Sequence, residues 1–196
     1  MIKDTTTVLH ELRGYASPKA KLTRLLKSGA LIQIRKGLYV EAGDAPVCAL
    51  APVIYGPSYL SFEYALSWYG LIPERVTAMT SACYGKNRSK RFVTPFGEYT
   101  YRDIPEAAYP YGIRREMEGD LPFLIADPEK ALCDMVSKQS EVVSLRDMER
   151  LLLENWRMER EDLIRLDLAA IDFLAPRYRK RSVKALQAWL DKEVER

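Results

Sequence analysis

The spacing of apolar residues changes several times along this chain, and each change predicts a different element. Val8, Leu9 and Leu12 predict a short helix over Thr6–Leu12, closed by a turn at Gly14–Ser17. Next, Leu22, Leu25 and Leu26 share one helical face, while Ala20, Thr23, Arg24 and Lys27 form an i, i+3, i+4, i+7 stripe on the other. Ser17 followed by Pro18 is an N-cap with proline at the first helical position, and Gly29 sits where a left-handed residue ends a helix. The period then falls to that of strands. Leu31, Ile32 and Ile34 predict one strand and Leu38–Val40 a second, with Arg35-Lys36-Gly37 as the tip between them.

From 41 to 57 the glycines and prolines (Gly43, Pro46, Pro52, Gly56, Pro57) predict a crossover, and the apolar run 47–55 predicts that it packs. Ser61 caps a predicted helix Phe62–Tyr69 that stops at Gly70. A strand follows over Val76–Ala82, then an exposed basic loop Lys86–Arg91, and a hairpin of Phe92–Thr94 with Glu98–Tyr101. Leu121–Ala126 predicts a further strand leading into a helix Pro128–Lys138. Ser144 and Asp147 form a capping-box pattern opening a helix Leu145–Trp156, and helical stretches follow over 163–174 and 183–194. The expected class is α+β. A small N-terminal winged helix-turn-helix (1–42) leads through a packed connector (43–57) to a larger mixed α/β domain (58–196) with a helical C-terminal third. A fuller winged helix has three helices ahead of its wing; here there is room for two, so the small unit is expected to borrow support from the larger one.

Charge sharpens this picture. Residues 1–41 hold eight lysines and arginines against three acids, a net +5 in a chain whose total is +3. Positive charge concentrated on a nearly neutral body suits a polyanion. The expected placement is the helix in a DNA major groove with the hairpin tip on phosphates. Lys19, Ala20, Lys21, Thr23, Arg24, Lys27, Arg35 and Lys36 are the candidate DNA contacts: Arg24 for a guanine edge, Ala20 for close approach. The competing explanation is an ordinary basic helix, or one that docks an acidic protein. Two further basic runs, Lys86, Arg88, Lys90, Arg91 and Arg177, Arg179, Lys180, Arg181, are candidates for secondary phosphate or partner contacts, with Tyr178 placed to stack on a base; solvated loops are their ordinary explanation.

At 196 residues and 47% hydrophobic, the chain buries a real core, which excludes a disordered protein. The start MIKDTTTVLHELRGY lacks the apolar centre of a secretion signal, and no run approaches a membrane span, so the expected compartment is the cytoplasm. Cys48, Cys83 and Cys133 are far apart and accompanied by the single His10, which gives neither a disulfide framework nor zinc spacing. Asp127, Glu129 and Asp134 beside Lys130 tempt toward a metal-dependent nuclease. Their spacing favours helix capping by Asp127 and a dipole contact by Glu129. No phosphate-cradling glycine motif occurs, and no cofactor, metal or catalytic residue is expected.

Four strings, in order, resemble the AbiEi antitoxin family of type IV toxin-antitoxin systems: SPKAKLTRLLKSGALIQIRKGLYV, YLSFEYALSWYGLIPE, FVTPFGEYTYRDIP and IADPEKALCDMV. The similarity covers about Ser17 to Val136. It implies a non-enzymatic regulator whose winged helix binds double-stranded operator DNA as a monomer or dimer, through residues matching Pro18–Lys27 and Arg35-Lys36, and represses its own operon. It also implies an antitoxin domain from about Tyr59 that counters a nucleotidyltransferase-like toxin. A stand-alone regulator without a toxin, or a protein-docking module, is the alternative.

Overall fold

The computed structural model describes residues 2–43 and 46–195. Its N-terminal part runs β1 (Ile2–Asp4), α1 (Thr5–Glu11), α2 (Pro18–Lys27), β2 (Leu31–Arg35) and β3 (Leu38–Glu41). The strands form an antiparallel sheet in the order β1-β3-β2, with Ile2 opposite Val40 and Ile32 opposite the same residue from the other side. Strand β1 has no counterpart in the sequence pattern: three residues show no period. It is held by pairing with β3 and by its own last residue, Asp4, which caps α1 by accepting from the Thr7 amide at 2.7 Å.

Alternation across this sheet divides it between two cores. Leu31 and Tyr39 turn toward α1 and α2, where they bury with Val8, Leu12 and Leu22. Ile34, Leu38 and Val40 turn the other way and belong to the core of the larger part. The small sheet is therefore sandwiched, and the body covers the face away from the helices.

The chain continues through α3 (Val47–Ile54), β4 (Ser58–Leu60), α4 (Phe62–Trp68), β5 (Met79–Cys83), β6 (Lys90–Thr94), β7 (Gly97–Asp103), β8 (Ile113–Glu118) and β9 (Leu121–Ala126). Helices α5 (Pro128–Val136), α6 (Leu145–Glu149), α7 (Arg160–Leu163), α8 (Leu168–Tyr178) and α9 (Arg181–Val194) complete it. Strands β4 to β9 form a mixed six-stranded sheet ordered β6-β7-β5-β4-β9-β8, parallel at β5–β7 and β4–β9 and antiparallel elsewhere.

The 43–57 segment contains a buried helix where the glycines and prolines predict a crossover. Its amides at Cys48 and Ala49 donate to Glu118, and Tyr99 and Tyr101 donate to its carbonyls at Val47 and Ala51. Partners on distant strands hold what its own sequence does not signal. The predicted Leu145–Trp156 helix becomes α6 continued by a π-helical stretch Arg150–Asn155, and the 163–174 stretch splits into α7 and α8. The basic loop is shorter than predicted, since Lys90 and Arg91 lie in β6.

Candidate nucleic-acid interface

Helix α2 forms where its capping residues predict. Ser17 accepts from the Ala20 amide at 3.4 Å, Pro18 occupies the first turn, and Gly29 follows with φ +73°. Leu22, Leu25 and Leu26 anchor the helix on α1 and the small sheet. The opposite face carries Ala20, Thr23, Arg24 and Lys27, all exposed, and Lys19 is exposed at the edge of the leucine side. Arg24 and Lys27 sit in the last turn, where the helix dipole favours cations. The Thr23 hydroxyl donates to the Lys19 carbonyl at 3.1 Å, so its hydrogen is committed and its lone pairs are left to accept. Lys21 departs from the stripe: it is half-buried, with its ammonium 4.7 Å from the centre of the Tyr15 ring. Nothing in the sequence pattern singles out Tyr15. With Ser17, Ala20, Lys21 and Arg24 it lines a hollow of about 250 Å³ beside the helix.

Arg35 and Lys36 are exposed at the hairpin tip, which the Thr5 amide ties down by donating to the Gly37 carbonyl at 3.2 Å. The neighbouring acids face elsewhere. Lys3 holds Glu11 at 2.7 Å and Glu41 at 2.8 Å, while Asp4 caps α1. Among the described residues, no carboxylate forms an ion pair with Lys19, Lys21, Arg24, Lys27, Arg35 or Lys36. Their field reaches solvent unquenched.

The secondary candidates are scattered. Arg88 is exposed, Lys86 lies 5.3 Å over the Tyr55 ring, and Arg91 pairs with Glu98 at 2.6 Å. Arg179, Lys180 and Arg181 are exposed, whereas Arg177 stacks on Phe173. Tyr178 cannot stack on a base: it is 1% exposed and its hydroxyl lies in the core.

That core contact is a polar centre that the sequence does not reveal. Asp134 accepts from Lys130 at 2.9 Å and Tyr178 at 2.6 Å on one oxygen, and from Tyr59 at 3.0 Å and Ser61 at 2.7 Å on the other. Burial, with the Asp134 charge beside them, pushes the Tyr59 and Tyr178 hydroxyls well above their ordinary range. One signal is present: Lys130 and Asp134 are i, i+4 partners in a helix that is otherwise apolar on most sides. The three acids considered for catalysis therefore do not converge. Asp127 stands at the N-cap of α5, yet its carboxylate pairs with Arg114 and makes no cap bond, which corrects the capping expectation. Glu129 accepts from the Asp167 amide at 3.0 Å, and Asp134 is sealed inside. Among the described residues, no three His, Cys, Asp or Glu side chains are grouped to hold a metal, and no helix is long and apolar enough to cross a membrane.

In class the fold is α+β: a β-α-α-β-β unit packed on a mixed six-stranded sheet and its helices. No protein-family model matches the chain, and no curated protein matches it. Among solved structures, the crystal structure of the RV2827C protein from Mycobacterium tuberculosis is similar, with a TM-score of 0.55 at 13% identity, over 98% of this chain and 72% of that one. The likeness is one of fold.

Proposed function

We propose that this chain is a DNA-binding regulator that grips an operator duplex with α2 and the β2–β3 tip. The observation that carries this is the pair of exposed cations Arg24 and Lys27 on one face of α2, with Lys19 exposed on the same helix and Arg35 and Lys36 exposed at the tip, none of them in an ion pair among the described residues. The β-α-α-β-β order and the β1-β3-β2 sheet support taking the small unit as a winged helix lacking its first helix. The body supplies the packing that helix would give. Arg24 reaches a base edge, Thr23 offers an acceptor, and Lys19, Lys27, Arg35 and Lys36 hold phosphates. A role at an operator places the protein in the cytoplasm, and assigns it binding, with no catalysis.

The test is titration of a fluorescent duplex from upstream of the protein's own reading frame against a scrambled duplex, across a range of salt. Arg24→Ala with Lys27→Ala should weaken binding and flatten the salt dependence, by a slope of about 0.9 for each phosphate that is no longer neutralised. Unchanged affinity and slope in the double variant would refute this interface. A second layer is the antitoxin role, supported by the four strings that resemble AbiEi antitoxins. It predicts that the chain relieves growth arrest by a co-transcribed nucleotidyltransferase; continued arrest on co-expression would leave a stand-alone regulator.

A further inference from the structure

Far along the chain from α2, two large rings stand in solvent. Tyr111 is 41% exposed and Phe173 is 45% exposed, and they meet edge to face at 5.0 Å. The Arg177 guanidinium stacks on both, 3.5 Å from the centre of Phe173 and 4.9 Å from that of Tyr111. Exposed Arg179, Lys180 and Arg181 follow, with no ion pair among the described residues. The adjacent Asp172 already accepts from Gln187 at 2.7 Å.

This cluster is held rigidly from beneath. Gly112, next to Tyr111, has φ +65°, and a Cβ there would stand 2.8 Å from that of Lys130, so the backbone lies directly on α5. The Asp127 amide fixes it further, donating to the Gly112 carbonyl at 2.8 Å. On α8, Arg177 precedes Tyr178, which is locked into the buried Lys130–Asp134 centre. The polar core thus presents tyrosine, phenylalanine and arginine on one surface, the residue types that carry binding energy at protein interfaces, with a cationic rim.

We propose that Tyr111, Phe173 and Arg177, rimmed by Arg179, Lys180 and Arg181, form a docking surface for an acidic protein face with an apolar centre. A DNA duplex fits less well. The guanidinium lies against rings and donates to the Phe173 carbonyl, so it is not a free phosphate ligand, and the paired bases of a duplex, stacked on one another, leave Phe173 nothing to stack on. The surface stands whether or not α2 binds DNA.

The test is selection of a phage-displayed random dodecapeptide library on the full chain. Peptides with an apolar side chain flanked by Asp or Glu should be enriched. Their affinity should fall at least about tenfold on Phe173→Ala, on Arg177→Ala and on joint reversal of Arg179, Lys180 and Arg181 to Glu. Lys27→Ala should leave it unchanged. Tyr111→Ser, on a loop outside α8, gives the same readout should the helical variants unfold. Absence of acidic enrichment, or peptides indifferent to these changes, would overturn the proposal. So would a Phe173→Ala variant whose duplex binding falls as far as that of Arg24→Ala, which would give the surface to nucleic acid.

Discussion

The buried Asp134 carboxylate is held by four donors. Two charges and three hydroxyls meet in the closed interior, and each oxygen of the aspartate has two donors. Such a centre is sensitive to removing one member, because the others lose their partner while remaining desolvated. Asp134→Ala should therefore lower unfolding stability by about 3–5 kcal/mol, read from urea midpoints. Replacing the ion pair with Met at 130 and Leu at 134 should cost less than the two single changes together, since no lone buried charge is left. An additive double variant would show the pair to be energetically idle. At the surface the expectation is opposite: Arg91→Ala, which breaks an exposed pair with Glu98, should move stability by less than about 1 kcal/mol.

Elements differ in whether their own residues or distant partners define them. Helix α3 depends on Glu118, whose carboxylate accepts from the Cys48 amide at 2.8 Å across 70 residues of sequence. Glu118→Ala should remove about 1 kcal/mol, as for loss of an N-cap, and should raise amide exchange at 48 and 49 selectively. Uniform exchange across the chain would show that Glu118 supports the sheet instead. The same contrast explains what was legible. Helix α2 announces itself through Ser17-Pro18, its leucine face and Gly29, and lies within the predicted bounds. Helix α3 is apolar on most sides, contains Pro52, and is capped from β8, so nothing local marks it. Strand β8 reads IRREME, with charge where alternation would need apolar residues, and exists because β9 pairs with its whole length. The basic stripe was legible because exposure of a charged helix face needs no partner. The Asp134 centre was not, because Tyr59, Ser61 and Tyr178 reach it from separate elements.

At the scale of the whole molecule, the small sheet and the body unfold together, because Ile34, Leu38 and Val40 share the large core. Ile34→Ala should cost about 2–5 kcal/mol and shift one common transition, with no separate early step. Alkaline pH tests this shared core from within. Tyr59, Tyr99, Tyr101 and Tyr178 are each at most 1% exposed, and burial raises all four hydroxyls above their ordinary value near 10. The folded chain keeps these protons where the unfolded chain releases them. Above pH 10 the unfolded state thus binds fewer protons, and stability falls as pH rises by about 1.4 kcal/mol per unit for each tyrosine. Below pH 10 their contribution is fully present. The Cys48, Cys83 and Cys133 thiols, pushed up by burial to about 11, 11 and 12, add to the loss from lower pH, because the unfolded thiols release their protons near 9. Urea midpoints should hold level from neutral pH to about 8, decline gently to about 10 and then drop steeply. Tyr178→Phe should begin less stable at neutral pH, having lost its bonds to Lys130 and Asp134, and then decline with a shallower slope. If wild-type and variant curves ran parallel through this range, Tyr178 would be titrating freely in the folded chain, and the closed core around Asp134 would be wrong.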